Sequence, residues 1–138
     1  PNSDAGSNFI TRKIRSFRER DVNIKDTKIN FYTNFEVEDY LKLIKNAKCL
    51  IGNSSSGIRE SSFLKVPVVN IGNRQFGRDR GTNVIDVKNN SNDIFKGVKK
   101  IINKKITKST LYGRGNANIK IIKILKKIPL KIEKSFYE

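Results

Sequence analysis

Leu50-Ile51-Gly52-Asn53-Ser54-Ser55-Ser56-Gly57-Ile58-Arg59-Glu60 is the stretch on which the fold turns. Residues 48–52 hold the short apolar run expected of a strand buried in a parallel sheet. A turn of small polar residues follows, and a helix is expected over residues 57–64. The start of such a helix carries unpaired N–H groups and partial positive charge, so it attracts anions. Small side chains let the backbone approach a phosphate. The hydroxyls of Ser54, Ser55 and Ser56 add donors without bulk. A diphosphate fits such a turn, at the carboxyl end of a parallel strand where α/β proteins bind ligands. The competing reading is that Ser54 to Ser56 only cap the helix. Glu60 lies about one turn further on, where its carboxylate can accept both hydroxyls of a ribose. It also reads as a capping-box or dipole-compensating glutamate. No partner group marks it as a general base.

Outward from this stretch, apolar strands alternate with amphipathic helices, the pattern of an α/β fold with a parallel sheet. Upstream, Asp4 is placed to cap a helix over residues 5–20 with Phe9, Ile10, Ile14 and Phe17 on one face. Residues 28–32 read as a strand, and residues 36–46 as a helix with Val37, Tyr40, Leu41 and Ile44 at helical spacing. Downstream, strands are expected over 66–71 and 83–87, then a helix capped by Ser91 and reaching residue 103. A loop with Gly113 and Gly115 leads to a last helix over 116–127, stopped near Pro129. Residues 130–138 read as a loosely held tail or one that docks on another domain. No repeat or low-complexity linker interrupts the chain, so residues 1–138 are expected to form one domain. The chain starts at Pro1 with no element before it, which suggests a fragment or an excised domain.

A second informative stretch is Asn70-Ile71-Gly72-Asn73-Arg74-Gln75-Phe76-Gly77-Arg78-Asp79-Arg80-Gly81. It leaves a strand and concentrates arginine. Arg74, Arg78 or Arg80 is suited to a forked contact with phosphate, and Asp79 is placed to pair with a neighbouring arginine. A solvated, charged loop explains the same residues equally well.

Composition narrows the classes. Charged residues make up 30% and hydrophobic residues 36% of 138, as in a soluble globular chain. No apolar run reaches the roughly 18 residues of a membrane span. No basic-then-apolar signal segment opens the chain. The expectation is a cytoplasmic chain without a membrane partner. One cysteine, Cys49, excludes an internal disulfide and reads as a small buried core residue. With no histidine, the common zinc patterns and the usual general base are both absent, so no metal and no catalytic residue is assigned. The net charge of +16 suits an anionic ligand. The lysines are scattered and do not alternate with aromatics, so the charge reads as compositional drift rather than a nucleic-acid surface.

The separated motifs agree in order and spacing with one family. Gly-Asn-Ser-Ser-Ser-Gly-Ile-Arg-Glu from Gly52, Val-Pro-Val-Val-Asn-Ile-Gly from Val66 and Arg-Gln-Phe-Gly-Arg from Arg74 resemble the hydrolysing UDP-N-acetylglucosamine 2-epimerases. Pro1-Asn2-Ser3-Asp4-Ala5-Gly6-Ser7 and Tyr112-Gly113-Arg114-Gly115-Asn116-Ala117 match the sialic-acid-pathway branch, which includes the epimerase half of the animal bifunctional epimerase/kinase. The resemblance covers nearly the whole chain. It implies a Rossmann-like domain, the C-terminal half of a glycosyltransferase-B-type pair facing a cleft, with the N-terminal catalytic domain missing.

By that resemblance the UDP site comprises Ser54, Ser55, Ser56, Gly57 and Glu60. Ser54 and Ser55 meet the diphosphate and Glu60 the ribose. Asn2 and Arg74 line the substrate site. Arg12 and Arg15 match positions tied to feedback inhibition by CMP-sialic acid, although ordinary helix-surface charge explains them locally. The family reaction eliminates UDP across C1 and C2 of the sugar and hydrates the resulting glycal, giving N-acetylmannosamine and UDP. Its acid/base carboxylates lie mainly in the first domain, and a histidine lies just upstream of the Pro-Asn segment. The implied partners are a UDP-sugar substrate, the first domain and a second subunit in a homodimer, with no cofactor. A nucleotide-sugar glycosyltransferase shares the two-domain plan, but the serine turn and the Arg-Gln-Phe-Gly-Arg loop favour the epimerase reading. A nucleic-acid-binding module has only the charge in its favour.

Overall fold

The computed structural model describes residues 6–19 and 27–129. The chain divides into two compact units, residues 1–34 and 35–138.

In the first unit, α1 spans Ser7–Glu19. Phe9, Ile10, Ile14 and Phe17 share one face as their spacing predicts, and with Phe31 they line a shallow apolar groove. The Phe17 and Phe31 rings pack tilted, with centroids 6.3 Å apart. The Arg18 guanidinium lies over Phe31, 5.3 Å from its centroid. Residues 28–32 are not a strand, contrary to their β-rich composition. A strand exists only through a ladder, and the sheet among the described residues consists of three later strands. The cap expected of Asp4 falls outside the described residues.

The second unit holds that sheet. α2 spans Val37–Asn46. Its Ile44 is buried, whereas Val37, at the helix start, is exposed. β1 (Leu50–Gly52), β2 (Val68–Ile71) and β3 (Val84–Val87) run parallel in that spatial order. Leu50 registers with Val68, and Val68 with Val84. The first and second strands are shorter than the apolar runs 48–52 and 66–71, because Pro67 interrupts the second run and cannot donate to a ladder. Pro67 still accepts through its carbonyl, from Leu50 N–H. Between β1 and β2 lie a 3-10 turn, Ser55–Gly57, and the short helix α3, Glu60–Leu64. A bare loop, residues 72–83, joins β2 to β3.

α4 (Ser91–Ile101) is capped by Asn90 rather than Ser91. Asn90 Oδ1 accepts from Asp93 N–H at 2.9 Å, and Asn90 Nδ2 donates to Asp93 Oδ2 at 2.9 Å. Cap and first-turn acid thus hold each other. Gly97 lets α4 lie close on the sheet, since a Cβ there would stand 2.8 Å from Val87 Cγ1 and 3.3 Å from Val69 Cγ1. Val68 points to the opposite face, toward the 3-10 turn. The core is Ile44, Ile58, Val66, Val68, Val69 and Ile101, with Ser61, Ser62, Asn70, Gln75 and Asn83 as buried polar residues. Cys49 is only half-buried, less than its apolar surroundings suggest, and burial raises its thiol pKa. The last helix, α5, spans Ala117–Leu125, and its apolar side chains are exposed. The segment 130–138 lies outside the described residues.

The described unit is an open parallel sheet with flanking helices, the Rossmann-like α/β arrangement that the alternation implies. No helix among the described residues is long and apolar enough to cross a membrane.

Candidate functional site

The serine turn leaves the carboxyl end of β1. Gly52, at φ 151°, has a backbone that side-chain-bearing residues rarely adopt, and this turns the chain out of the strand. Ser54 is extended and caps the turn, its Oγ accepting from Ser56 N–H at 3.3 Å. The capping reading of the serines is therefore correct for Ser54. The hydroxyls of Ser55 and Ser56 make no hydrogen bond among the described residues, and the N–H groups of Ser54 and Ser55 donate to none. Gly57 is buried against the sheet, where a Cβ would meet Val68 Cγ1 at 2.9 Å and Leu50 Cδ2 at 3.5 Å. Glycine here brings the turn down onto β1 and β2.

The helix expected from Gly57 to Leu64 is split. The 3-10 turn ends at Gly57, and α3 begins only at Glu60. Serine and glycine are weak helix formers, and Ser54 Oγ competes for backbone donors, so the first half stays a tight turn. What such a turn offers an anion is its free N–H groups and hydroxyls rather than the end of a long helix. Glu60 is half-buried in the first turn of α3. Its Oε2 is buried and accepts no hydrogen bond. Buried polar atoms are almost always paired, so an orphaned carboxylate oxygen on the residue three positions after Gly57 suits a hydroxyl donor from a ligand.

The loop after β2 meets this turn. Arg74 Nη1 donates to Asn53 O at 3.4 Å, a long contact, and Gln75 Nε2 donates to the same carbonyl at 2.8 Å. Arg74, expected at the substrate site, thus stands beside the serine turn. Gln75 was not anticipated as a site residue, and nothing in a loop rich in arginine singles it out. Arg80 does not pair with its neighbour Asp79. Its Nε donates to Asp86 Oδ2 at 3.0 Å and its Nη2 to Asp86 Oδ1 at 3.2 Å, so its fork is occupied by a carboxylate. A further Arg80 donor binds the Arg78 carbonyl. Asn70 Nδ2 donates to Asp86 Oδ1 at 2.6 Å. Burial pushes the Asp86 carboxyl upward, but hydrogen bonds from Arg80 and Asn70 and the Arg80 charge outweigh it and hold its pKa below the ordinary value. Asn70 carried the sequence signal for this cluster: an amide inside a Val-Val-Asn-Ile strand needs a partner. Tyr112 Oη donates to Asp79 O at 2.8 Å, tying the Tyr-Gly-Arg-Gly motif to the same loop.

The structure brings Arg74 to Asn53 at the head of the turn Ser54, Ser55, Ser56 and Gly57, and Glu60 follows three residues later at the start of α3. Arg12 and Arg15 are exposed on α1 in the first unit. Asn2 lies outside the described residues.

Comparison with known proteins agrees with the motifs. A sequence model of the family described as UDP-N-acetylglucosamine 2-epimerase matches residues 1–126. The polysialic acid biosynthesis protein P7 of Escherichia coli is 40% identical over 145 residues, covering 99% of this chain and 36% of that protein. The UDP-N,N'-diacetylbacillosamine 2-epimerase (hydrolyzing) of Legionella pneumophila is 34% identical, covering 94% of this chain and 33% of that protein. A GDP/UDP-N,N'-diacetylbacillosamine 2-epimerase (hydrolyzing) from Campylobacter jejuni is 40% identical over 67% of this chain and 23% of its own length. The chain spans about a third of the length of the first two relatives.

Proposed function

Because this chain belongs to the UDP-N-acetylglucosamine 2-epimerase family, we propose that residues 1–138 are the UDP-binding, C-terminal half of a hydrolysing UDP-N-acetylglucosamine 2-epimerase. Ser54 through its free N–H and Ser55 through its free N–H and hydroxyl hold the diphosphate, Ser56 and Gly57 shape the turn, and Glu60 accepts the ribose hydroxyls. Arg74 and Asn2 belong to the substrate side. The observation that carries the reading is the serine turn, whose unpaired donors follow β1 and which is followed in turn by Glu60, with its buried and unpaired Oε2. Two relatives are named as hydrolysing 2-epimerases of diacetylbacillosamine nucleotides, and this supports a nucleoside-diphosphate sugar as the substrate class.

In the reaction a base takes the C2 proton, the C1–O bond breaks and the electron pair leaves with UDP. Water then adds across the C1–C2 double bond with the opposite configuration at C2. This domain grips the leaving group, where charge develops as the C1–O bond breaks. The base and acid belong to the part of the enzyme beyond these residues, so the 138-residue chain alone turns over no UDP-N-acetylglucosamine.

Calorimetry with two ligands tests the assignments. Ser55→Ala is expected to weaken UDP binding by roughly 1–3 kcal/mol, the range for losing a hydrogen bond to a charged group. It should leave uridine binding unchanged. Glu60→Gln is expected to weaken uridine and UDP by similar factors, because the amide keeps one acceptor oxygen where the carboxylate had two. Unchanged UDP affinity in Ser55→Ala would reduce the serines to a cap. Intact uridine binding in Glu60→Gln would remove the ribose assignment.

A further inference from the structure

Gln75 is 3% exposed, in a loop whose neighbours Arg74 and Phe76 face solvent. Its side-chain amide is used asymmetrically. Nε2 donates to Asn53 O at 2.8 Å, while Oε1 is buried and accepts nothing. A buried amide serving only as a structural link would pair both ends, because an unpaired buried acceptor is costly. The orientation is not arbitrary, since turning the amide over would set Oε1 against the Asn53 carbonyl.

The bond acts on a peptide plane. Asn53 and Ser54 are joined by a trans peptide, in which the carbonyl and the following N–H point in opposite directions. By drawing Asn53 O toward the loop, Gln75 turns Ser54 N–H the other way. That N–H donates to nothing among the described residues. Gln75, through a carbonyl 22 residues away in sequence, therefore determines the direction of the free donor that follows it, without contacting that donor. Arg74 shares the acceptor at 3.4 Å, beyond the usual range for such bonds, so the short contact is the one that sets the plane.

We propose that Gln75 is a positioning residue for diphosphate binding: its hydrogen bond to the Asn53 carbonyl holds Ser54 N–H in the direction in which it donates to a phosphate oxygen. This rests on the diphosphate reading of the serine turn and adds the loop residue that orients it. The consequence is selective. Loss of the clamp releases one donor to phosphate and leaves the nucleoside end untouched.

The test uses the full-length enzyme, UDP and uridine, with calorimetry and with NMR of the selectively labelled Ser54 amide. In the unaltered enzyme the Ser54 amide proton moves downfield on adding UDP and stays in place with uridine. Gln75→Met keeps length without the donor, and Gln75→Glu keeps shape and replaces the donor with an acceptor. Both are expected to lower UDP affinity tenfold or more, change uridine affinity less than twofold and abolish the Ser54 shift. A Ser54 amide indifferent to UDP in the unaltered enzyme overturns the proposal without any variant. So does a folded Gln75→Met enzyme with UDP affinity within twofold of the original. Equal losses for UDP and uridine overturn it as well, since they mark a general loss of packing. An unaltered enzyme that binds neither ligand brings down the diphosphate reading itself, and this inference with it.

Discussion

The strand β2 and the helix α5 are both made largely of aliphatic residues, yet they occupy opposite environments. Val68 and Val69 are 1% and 0% exposed, whereas Ile119 is 64% and Leu125 57% exposed. β2 has a strand on each edge, α4 on one face and the 3-10 turn on the other. α5 is apolar around much of its circumference, with lysines at 120 and 123 between the isoleucines. Burial is thus conferred by neighbours rather than by composition. The apolar residues of β2 hold the unit together, and those of α5 contribute little to it.

Hydrogen exchange gives the widest separation. Amides of Val69 and Asn70 should exchange only through global opening, and those of Ile122 and Ile124 through local fraying, with protection differing by about a thousandfold or more. Comparable protection in α5 would break the comparison. Urea unfolding should separate Ile58→Ala from Ile122→Ala. Ile58 is fully buried, so its truncation is expected to cost about 2–5 kcal/mol. The same change at Ile122, 52% exposed, should fall within about 0.5 kcal/mol. Gly57→Ala sharpens the role of β2, because the added methyl meets Val68 Cγ1 at 2.9 Å. Overpacking there should lower stability by about 1–3 kcal/mol, read from the same urea curves.

The smallest effect belongs to Asp86. Its side chain is 51% exposed, so solvent screens the pair with Arg80, and Asp86→Asn should cost no more than about 1 kcal/mol. The sign with pH is fixed by the lowered pKa. The stabilisation is complete above the unfolded carboxyl value, about 3.9, and fades as pH falls through the lower folded value. Melting temperatures of the original and Asp86→Asn chains should therefore converge below about pH 4. A gap that widens in acid would contradict the assignment.

Elements with local causes were legible. α2, α4 and α5 follow the helical spacing of their apolar residues within one or two positions, and the three strands lie inside the apolar runs. Residues 28–32 misled because pairing depends on a distant neighbour that composition cannot report. The serine turn was visible as small residues between a strand and a helix, yet its break from α3 depended on competition between Ser54 Oγ and helical bonding. Gln75 was hidden for a different reason. Its role comes from one contact to Asn53, set by how two loops meet, and no local pattern encodes that meeting. Asp86 was hidden in the same way, since its partners Asn70 and Arg80 lie in the preceding strand and loop.

The spacing of the strands bears on how the chain folds. Parallel pairing needs a crossover of a dozen or more residues, and here residues 53–67 and 72–83 supply both. Register partners are eighteen positions apart between Leu50 and Val68 and sixteen apart between Val68 and Val84. Loop closures of this size carry a modest entropic cost, which rises only slowly with length. Among the described residues the three strands, the serine turn and the Gln75 bond to Asn53 fall within residues 50–87. A chain emerging from the ribosome thus has the three described strands and the candidate ligand turn in hand once Val87 is out, before α4 has been made. Each pairing closes its loop before it gains its ladder, and parallel sheets are intrinsically slow to form, so closure of these two crossovers is expected to limit how fast the unit assembles.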